Sequence, residues 1–464
     1  MIELLELCGF ESREIDAELD RAKKVFSRIN ITDEDIEKAK KRLVKYYDME
    51  LTGVRKILGI YLRELINLVL ARDDGKKKIL YGGVGPGFET IGSAIISKTE
   101  EVYAGYPDHL FRAVLTSIFG KIEPVLEAAE ELWLKRGYTV HCAEVKGRLG
   151  LLALGFTPKP DVMVTSGCMC ETNPKTHDLA GEVCGLTTYY AETCRDIAAG
   201  NRADFKRALE LGAKDLRRLT HKIEEEVGFE ITDDDILEVI HARGKISEAV
   251  SRVRDLIQTS DPLPLSATHD VLLHYLAKIV LTVNDLQKDP VDAVNILYRE
   301  LKDRVDRGVG VVEKGAPRIF ALMPPSSGGP ELEHLVNEVG IALVAAETGF
   351  YLPDGARRPD MEDIEDPYQR MYGYLYASGS LTTRDRVATV IGACKRLSVE
   401  GVLGRYHVGC RTIAADTFVC KSAITKELGI PVLLLEWESF DPRVHEHELF
   451  KRRLEVFKSM MRPA

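Results

Sequence analysis

The 464-residue sequence predicts an α/β protein of two Rossmann-like parallel-sheet units facing across a cleft, with N-terminal and central helical segments. Three observations predict it. Short apolar runs at Ile79-Leu80-Tyr81, Val162-Met163-Val164, 319–323 and 429–435 alternate with helical patterns, the strand-loop-helix rhythm of a parallel sheet. The stretches 1–72 and 204–257 carry apolar residues at helical spacing instead. Cysteines stand at or just past the ends of apolar runs, and open α/β sheets bind ligands outside the carboxyl ends of their strands. The expected units are 1–75 (helical), 76–200 (first α/β), 201–305 (helical) and 306–464 (second α/β).

The balance of 45% hydrophobic and 29% charged residues is that of an ordinary globular protein. A net charge of −10 argues against a nucleic-acid scaffold. No apolar run reaches the roughly 18 residues of a membrane span. The opening MIELLELCGFESREID is acidic and shows no cleavable signal pattern, so the expected location is the cytoplasm. The nine cysteines are then expected to stay reduced, and clustered ones point to metal or redox chemistry.

In chain order, Thr32 ahead of Asp33-Glu34 marks a helix start. Val54, Leu58, Leu62, Ile66 and Leu70 line one helix face. The strand at 79–81 runs into GGVGPG (82–87), a poor dinucleotide fingerprint because Pro86 interrupts it and no acid stands clearly at a second strand end. A helix at 89–97, a strand at 101–106 and a helix at 122–136 follow. Cys142 lies between YTVH and a helix over 144–154, at a helix N-terminus that favours a thiolate. The strand 162–164 breaks at Thr165-Ser166-Gly167 and presents Cys168 and Cys170 in a polar loop. Two thiols one residue apart there read as cluster or metal ligands, the alternative being packed core cysteines. A strand at 187–190, helices over 204–257 with Thr232 as a cap, a rigid DPLP linker at 261–264 and helices at 266–281 and 290–305 come next. The last unit has strands at 319–323 and 341–346 and helices at 331–338 and 386–397. Residues 402–404 then lead to Cys410, followed by a helix at 417–427, a strand at 429–435 and a helix at 444–461. The two α/β units share a rhythm, which suggests an internal pseudo-repeat.

Several motifs together resemble one family, that of the 2-hydroxyacyl-CoA dehydratase iron–sulfur subunits, the benzoyl-CoA reductase core subunits and the double-cubane-cluster proteins. They are CAEVKGRLG (142–150), VTSGCMCETNPK (164–175), EEEVGFEITDDDILEVI (224–240), KGAPRIFALMP (314–324) and YHVGCRTIAADTF with KELGIPVLLLE (406–436). The resemblance covers about residue 78 to the last residue. It implies a [4Fe–4S] cluster held by Cys142, Cys170 and Cys410, with one iron left open. Where the family shows one Cys followed by Asp, this chain has two, so Cys168 is the alternative to Cys170, which Glu171 follows. Cys184, Cys194 and Cys420 fall outside the three-ligand pattern; they are core residues, or they serve a double-cubane [8Fe–9S] cluster.

The resemblance further implies an acyl-CoA substrate, an ATP-hydrolysing iron–sulfur activator that delivers a low-potential electron, and a homologous second subunit in a homo- or heterodimer. The implied reaction is one-electron reduction of the thioester to a ketyl radical, followed by loss of the 2-hydroxyl group. Two readings compete within the family, a benzoyl-CoA reductase-type or double-cubane reductase and a non-catalytic partner subunit. A nicotinamide dehydrogenase using Gly82–Gly87 is the competitor outside it, and it requires no iron. His177, His407, Glu436, Glu438, Ser326 and Ser327 lie near the same loops; the first four are expected to be ordinary satisfied or solvated polar groups.

Overall fold

The computed structural model describes the chain except residues 84–86, 136, 138–141, 168–171, 192–201, 275, 277–280, 282–288, 323–328, 348–363, 380–381, 408–409, 439–440 and 462–464. Four helices open it: α1 (Ile2–Leu7), α2 (Ser12–Arg28), α3 (Asp33–Tyr46) and α4 (Thr52–Leu70). Thr32 caps α3 by accepting from the Asp35 backbone N–H while Asp35 accepts from the N–H of Thr32, so two otherwise orphaned donors are satisfied. Helix α4 is buried nearly all round, including Glu64. Its Gly53 lies against the backbone of Leu297, where a Cβ would meet Leu297 Cα at 2.5 Å.

The first α/β unit contains β1 (Lys78–Gly82), α5 (Phe88–Lys98), β2 (Val102–Gly105), α6 (Pro107–Phe111) with a π-helical continuation (Arg112–Phe119), α7 (Glu123–Lys135), α8 (Ala143–Ala153), β3 (Val162–Thr165), α9 (Thr172–Cys184) and β4 (Thr187–Tyr190). Helices α10 (Arg202–Val227), α11 (Asp233–Thr259), α12 (His269–His274) and α13 (Asp289–Asp306) lead to the second unit. Arg304 of α13 binds Asp48 at 3.0 Å and the Pro264 carbonyl at 2.7 Å, tying this helical segment to the N-terminal one.

The second unit contains β5 (Arg318–Leu322), α14 (Glu331–Glu338), β6 (Ala342–Ala346), α15 (Pro367–Gly379), α16 (Thr383–Arg396), β7 (Gly401–His407), α17 (Arg411–Leu428), β8 (Val432–Trp437) and α18 (His447–Met460). Every strand pairing is parallel, and the orders are β2-β1-β3-β4 and β6-β5-β7-β8. In each unit the chain starts at an inner strand, crosses to one edge, then returns to the other side of that strand. The switch points lie between β1 and β3 and between β5 and β7, where the carboxyl ends form a crevice. The pseudo-repeat suggested by the sequence is thus a repeat of topology.

Three helical stretches were not expected: 107–119, 172–184 and 367–379. Helix α17 begins six residues earlier than its apolar pattern suggests, immediately after Cys410. Of the helix expected at 266–281, the described part is α12. No strand leads into Cys142 among the described residues; 138–141, Met323 and Val84–Pro86 of the glycine-rich loop lie outside them.

Candidate functional site

Cys410 is the N-cap of α17 and Cys142 the N-cap of α8, both with extended backbone. Each helix start offers N–H groups and the positive end of the helix dipole to an anionic sulfur or ligand. Cys142 is 9% exposed and Cys410 half-buried. Cys168 and Cys170 lie outside the described residues, as do Cys194, Ser326 and Ser327 and the side chain of His407. In the chain, Cys168 and Cys170 fall between β3 and α9, as Cys410 falls between β7 and α17. Among the described residues, no three His, Cys, Asp or Glu side chains converge as a metal site.

The two units meet at Cys142. Glu438, one residue past β8, accepts the Ala143 N–H through its carboxylate at 2.8 Å. It therefore caps the first turn of α8 from the other unit, in place of a side-chain cap from Cys142 itself. Glu438 is half-buried rather than a solvated strand-end acid, whereas Glu436 is exposed and takes a bond from the Tyr406 hydroxyl at 3.2 Å. Strand β8 pairs with β7 through Tyr406–Glu436 and His407–Trp437, so Glu438 and Cys410 emerge at the same end of the second sheet. Beside this contact, Arg443 binds Glu130 of α7 at 2.7 Å and Lys146 of α8 binds it at 2.9 Å. His445 contacts the Glu438 carbonyl at 3.2 Å. It also lines a cavity of about 130 Å³ with Glu331, His447 and Phe450. That volume is well below the roughly 300–1,000 Å³ of a typical small-molecule site, so it does not take an acyl-CoA.

Beneath the first switch point lies a buried polar network that the sequence did not disclose. Arg148, six residues along from Cys142, reaches Asp108 with one guanidinium nitrogen and Asn173 Oδ1 with another at 2.9 Å. The second nitrogen also lies 2.9 Å from His177 Nδ1. Asn173 in turn donates through Nδ2 to Thr165 Oγ1 at 2.9 Å and to the Ser166 carbonyl at 3.0 Å. All five side chains are at most 3% exposed. Burial opposes the Asp108 charge, but Arg148, His109 and Arg112 outweigh it and hold the carboxyl well below the usual range. Burial first, and then Arg148, push the His177 imidazole well below its usual value, so it is neutral. His177 is not fully satisfied as expected: its Nε2 is buried without a partner. Gly83 packs over that ring, and a Cβ there would lie 2.4 Å from His177 Cε1. One sequence signal for Arg148 existed: it stands three residues after Val145 and three before Leu151, on a helix face that is otherwise buried.

The other described cysteines pack against the core. Cys8, Cys394 and Cys420 are buried, and burial pushes each thiol up to about 12. Cys184 ends α9, at the far end from its N-terminus, and is half-buried.

Two parallel four-stranded sheets of like strand order, each flanked by helices, define the chain as an α/β protein of two doubly wound units. Residues 104–461, more than three quarters of the chain, match the sequence profile of the family described as 2-hydroxyglutaryl-CoA dehydratase, D-component. The chain belongs to that family and is a dehydratase-type component of it. No curated protein matches the chain. No helix among the described residues is long and apolar enough to cross a membrane.

Proposed function

We propose that this chain is the catalytic iron–sulfur component of a 2-hydroxyacyl-CoA dehydratase-type enzyme, with a [4Fe–4S] cluster held by Cys142, Cys410 and one of Cys170 and Cys168. The observation that carries the reading is the shared strand order. It puts the Cys168/Cys170 loop and Cys410 at the same station of two like units, while Glu438 draws the Cys142 helix to the second unit. The donor set suits the group, since soft thiolates select iron–sulfur clusters and three of them leave one iron for substrate.

When bound, the cluster supplies a low-potential electron to the acyl-CoA thioester and a Lewis-acidic iron for the departing oxygen. The chain's own part is to hold three thiolates at helix starts, to fix the loops that carry them and to keep the core beneath dry. The partners that complete the reading are an acyl-CoA, an ATP-hydrolysing iron–sulfur activator and a second subunit of the same fold. The cytoplasm is the compartment that keeps nine cysteines reduced.

Iron and acid-labile sulfide per chain in anaerobically purified protein test the reading. About four irons are expected, lost on exposure to air and lost in Cys142→Ser and Cys410→Ser. Zinc in their place, or full iron in either variant, sinks it. About eight irons mark the double-cubane alternative, which the burial of Cys420 in the core disfavours. Unchanged activity of Cys142→Ser marks the non-catalytic subunit.

A further inference from the structure

The second unit carries a counterpart of the Arg148 network. Arg386 lies on α16, the helix before the third strand of its sheet, as Arg148 lies on α8. Arg386 forms a two-pronged pair with Glu347, the residue after β6, at 2.5 and 2.8 Å. Arg148 likewise pairs with Asp108, three residues after β2. Arg386 also faces Asp416 of α17 at 3.5 Å, and Asp416 accepts from Thr383 Oγ1 at 2.8 Å. Asp416 is the sixth residue of α17, and His177 is the sixth residue of α9. In both units, then, one buried arginine joins three things: the end of the second strand, the helix before the third strand, and the helix that starts just after the cysteine.

We propose that Arg148 and Arg386 are positioning residues that set where the cysteine-bearing starts of α9 and α17 sit, Arg148 for the Cys168/Cys170 loop and Arg386 for Cys410. This rests on the proposed cluster only for what the cysteines hold; the mechanical part stands without it. A charged pair between two flexible surface groups would not position anything. These arginines are 2% and 8% exposed, and each uses a planar fork with several donors that lysine cannot reproduce. In the first unit the chain of contacts closes on itself. Arg148 orients Asn173, and Asn173 bonds Thr165 and Ser166, so the two ends of the cysteine loop are pinned together from below. His177 under Gly83 extends the same frame to the neighbouring loop of the crevice.

Two readouts test this in Asn173→Ala, Arg148→Lys and Arg386→Lys. The first is backbone hydrogen exchange of the purified full-length protein, with chelator-treated wild type as the reference for loss of iron alone. Local opening free energies govern exchange, so about tenfold faster exchange is expected in 164–176 for the first two variants, and in 404–416 for Arg386→Lys, with the other unit unchanged. The second is the EPR spectrum and reduction potential of the loaded protein, which are expected to shift in each variant. Exchange that rises equally in both units, or in neither, overturns the proposal, as does an unshifted spectrum in variants that retain iron. Wild type without iron sinks the cluster reading instead and leaves the exchange experiment to decide this one.

Discussion

The two α/β units share a strand order but secure their third-strand helices differently. In the second unit, α16 is capped from within: Thr382 accepts the Asp385 N–H, and its hydroxyl donates to the Asp385 carboxylate. In the first, the equivalent helix α8 begins at Cys142, which makes no such cap, and Glu438 supplies the carboxylate from the other unit. The cysteine loops differ too. Residues 166–171 separate β3 from α9, but only 408–410 separate β7 from α17. The longer loop has Asn173 bonding back to Thr165 and Ser166. The second unit therefore satisfies the start of α16 locally, whereas the first depends for the start of α8 on its neighbour and ties its cysteine loop with a buried network. A segment whose ends are fixed by distant partners is set by tertiary structure, and its position changes when those partners change.

The largest effect is expected where a buried charge would lose the carboxylate that pairs with it among the described residues. Asp108→Leu leaves Arg148 uncompensated, and breaking a buried pair in this way costs about 3–5 kcal/mol. Glu347→Leu leaves Arg386 with Asp416, so a loss of about half that is expected by the same principle. Urea unfolding of both variants measures the difference, and equal losses would break the comparison. Asp108 also sets a pH limit. Its folded carboxyl titrates well below its unfolded value near 3.9, so its contribution is complete above that value and is lost as pH falls further.

Gly83 comes next. An alanine there would place its Cβ 2.4 Å from His177 Cε1 and 3.2 Å from an Arg148 nitrogen. Overpacking of this kind costs roughly 1–3 kcal/mol, and His177 is held too firmly by Asn173 and Arg148 to turn aside. Calorimetry of Gly83→Ala gives the value. A neutral substitution would show that the crevice loop is not seated on the frame.

What the sequence disclosed, and what it hid, follows the same division. Thr32 and Thr232 were legible as helix caps because both partners of each capping box lie within four residues. The strands were legible as apolar runs, and the chain's family through motifs around the cysteines. Helix α9 was hidden by Asn173 and Pro174, which read as loop, although proline is tolerated in a first turn where its missing N–H is no loss. The early start of α17 was hidden by β-branched Thr412 and Ile413. Arg148 and Glu438 escaped because their partners lie 25, 40 and 295 residues away. No local window carries that information.

The capping difference yields a paired test of smaller size. Replacing a helix cap with alanine costs about 1 kcal/mol, so Thr382→Ala and Glu438→Ala are expected to lose similar stability. Their consequences should differ in place. Thr382→Ala frays one turn of α16, and hydrogen exchange should rise there alone. Glu438→Ala releases the start of α8 from the second unit, so exchange should rise at 143–147 and also at the end of β8. If the two variants behave alike, the cap across the units is not a joint between them.

The smallest expected effect belongs to the exposed side of that joint. Arg443 and Lys146 converge on Glu130, and the Arg443 bond above all holds its carboxyl down at about 2. The unfolded value is about 4.3, so the contribution is fully present above pH 5 and fades as pH falls toward the folded value. These side chains are about a third exposed, and water and salt screen them. Arg443→Ala should therefore cost less than about 1 kcal/mol at neutral pH and nothing further near pH 2, with the difference shrinking in 1 M salt. A larger loss that survives both acid and salt would place Arg443 with the buried arginines, through its contact with the buried Asp441 rather than with Glu130.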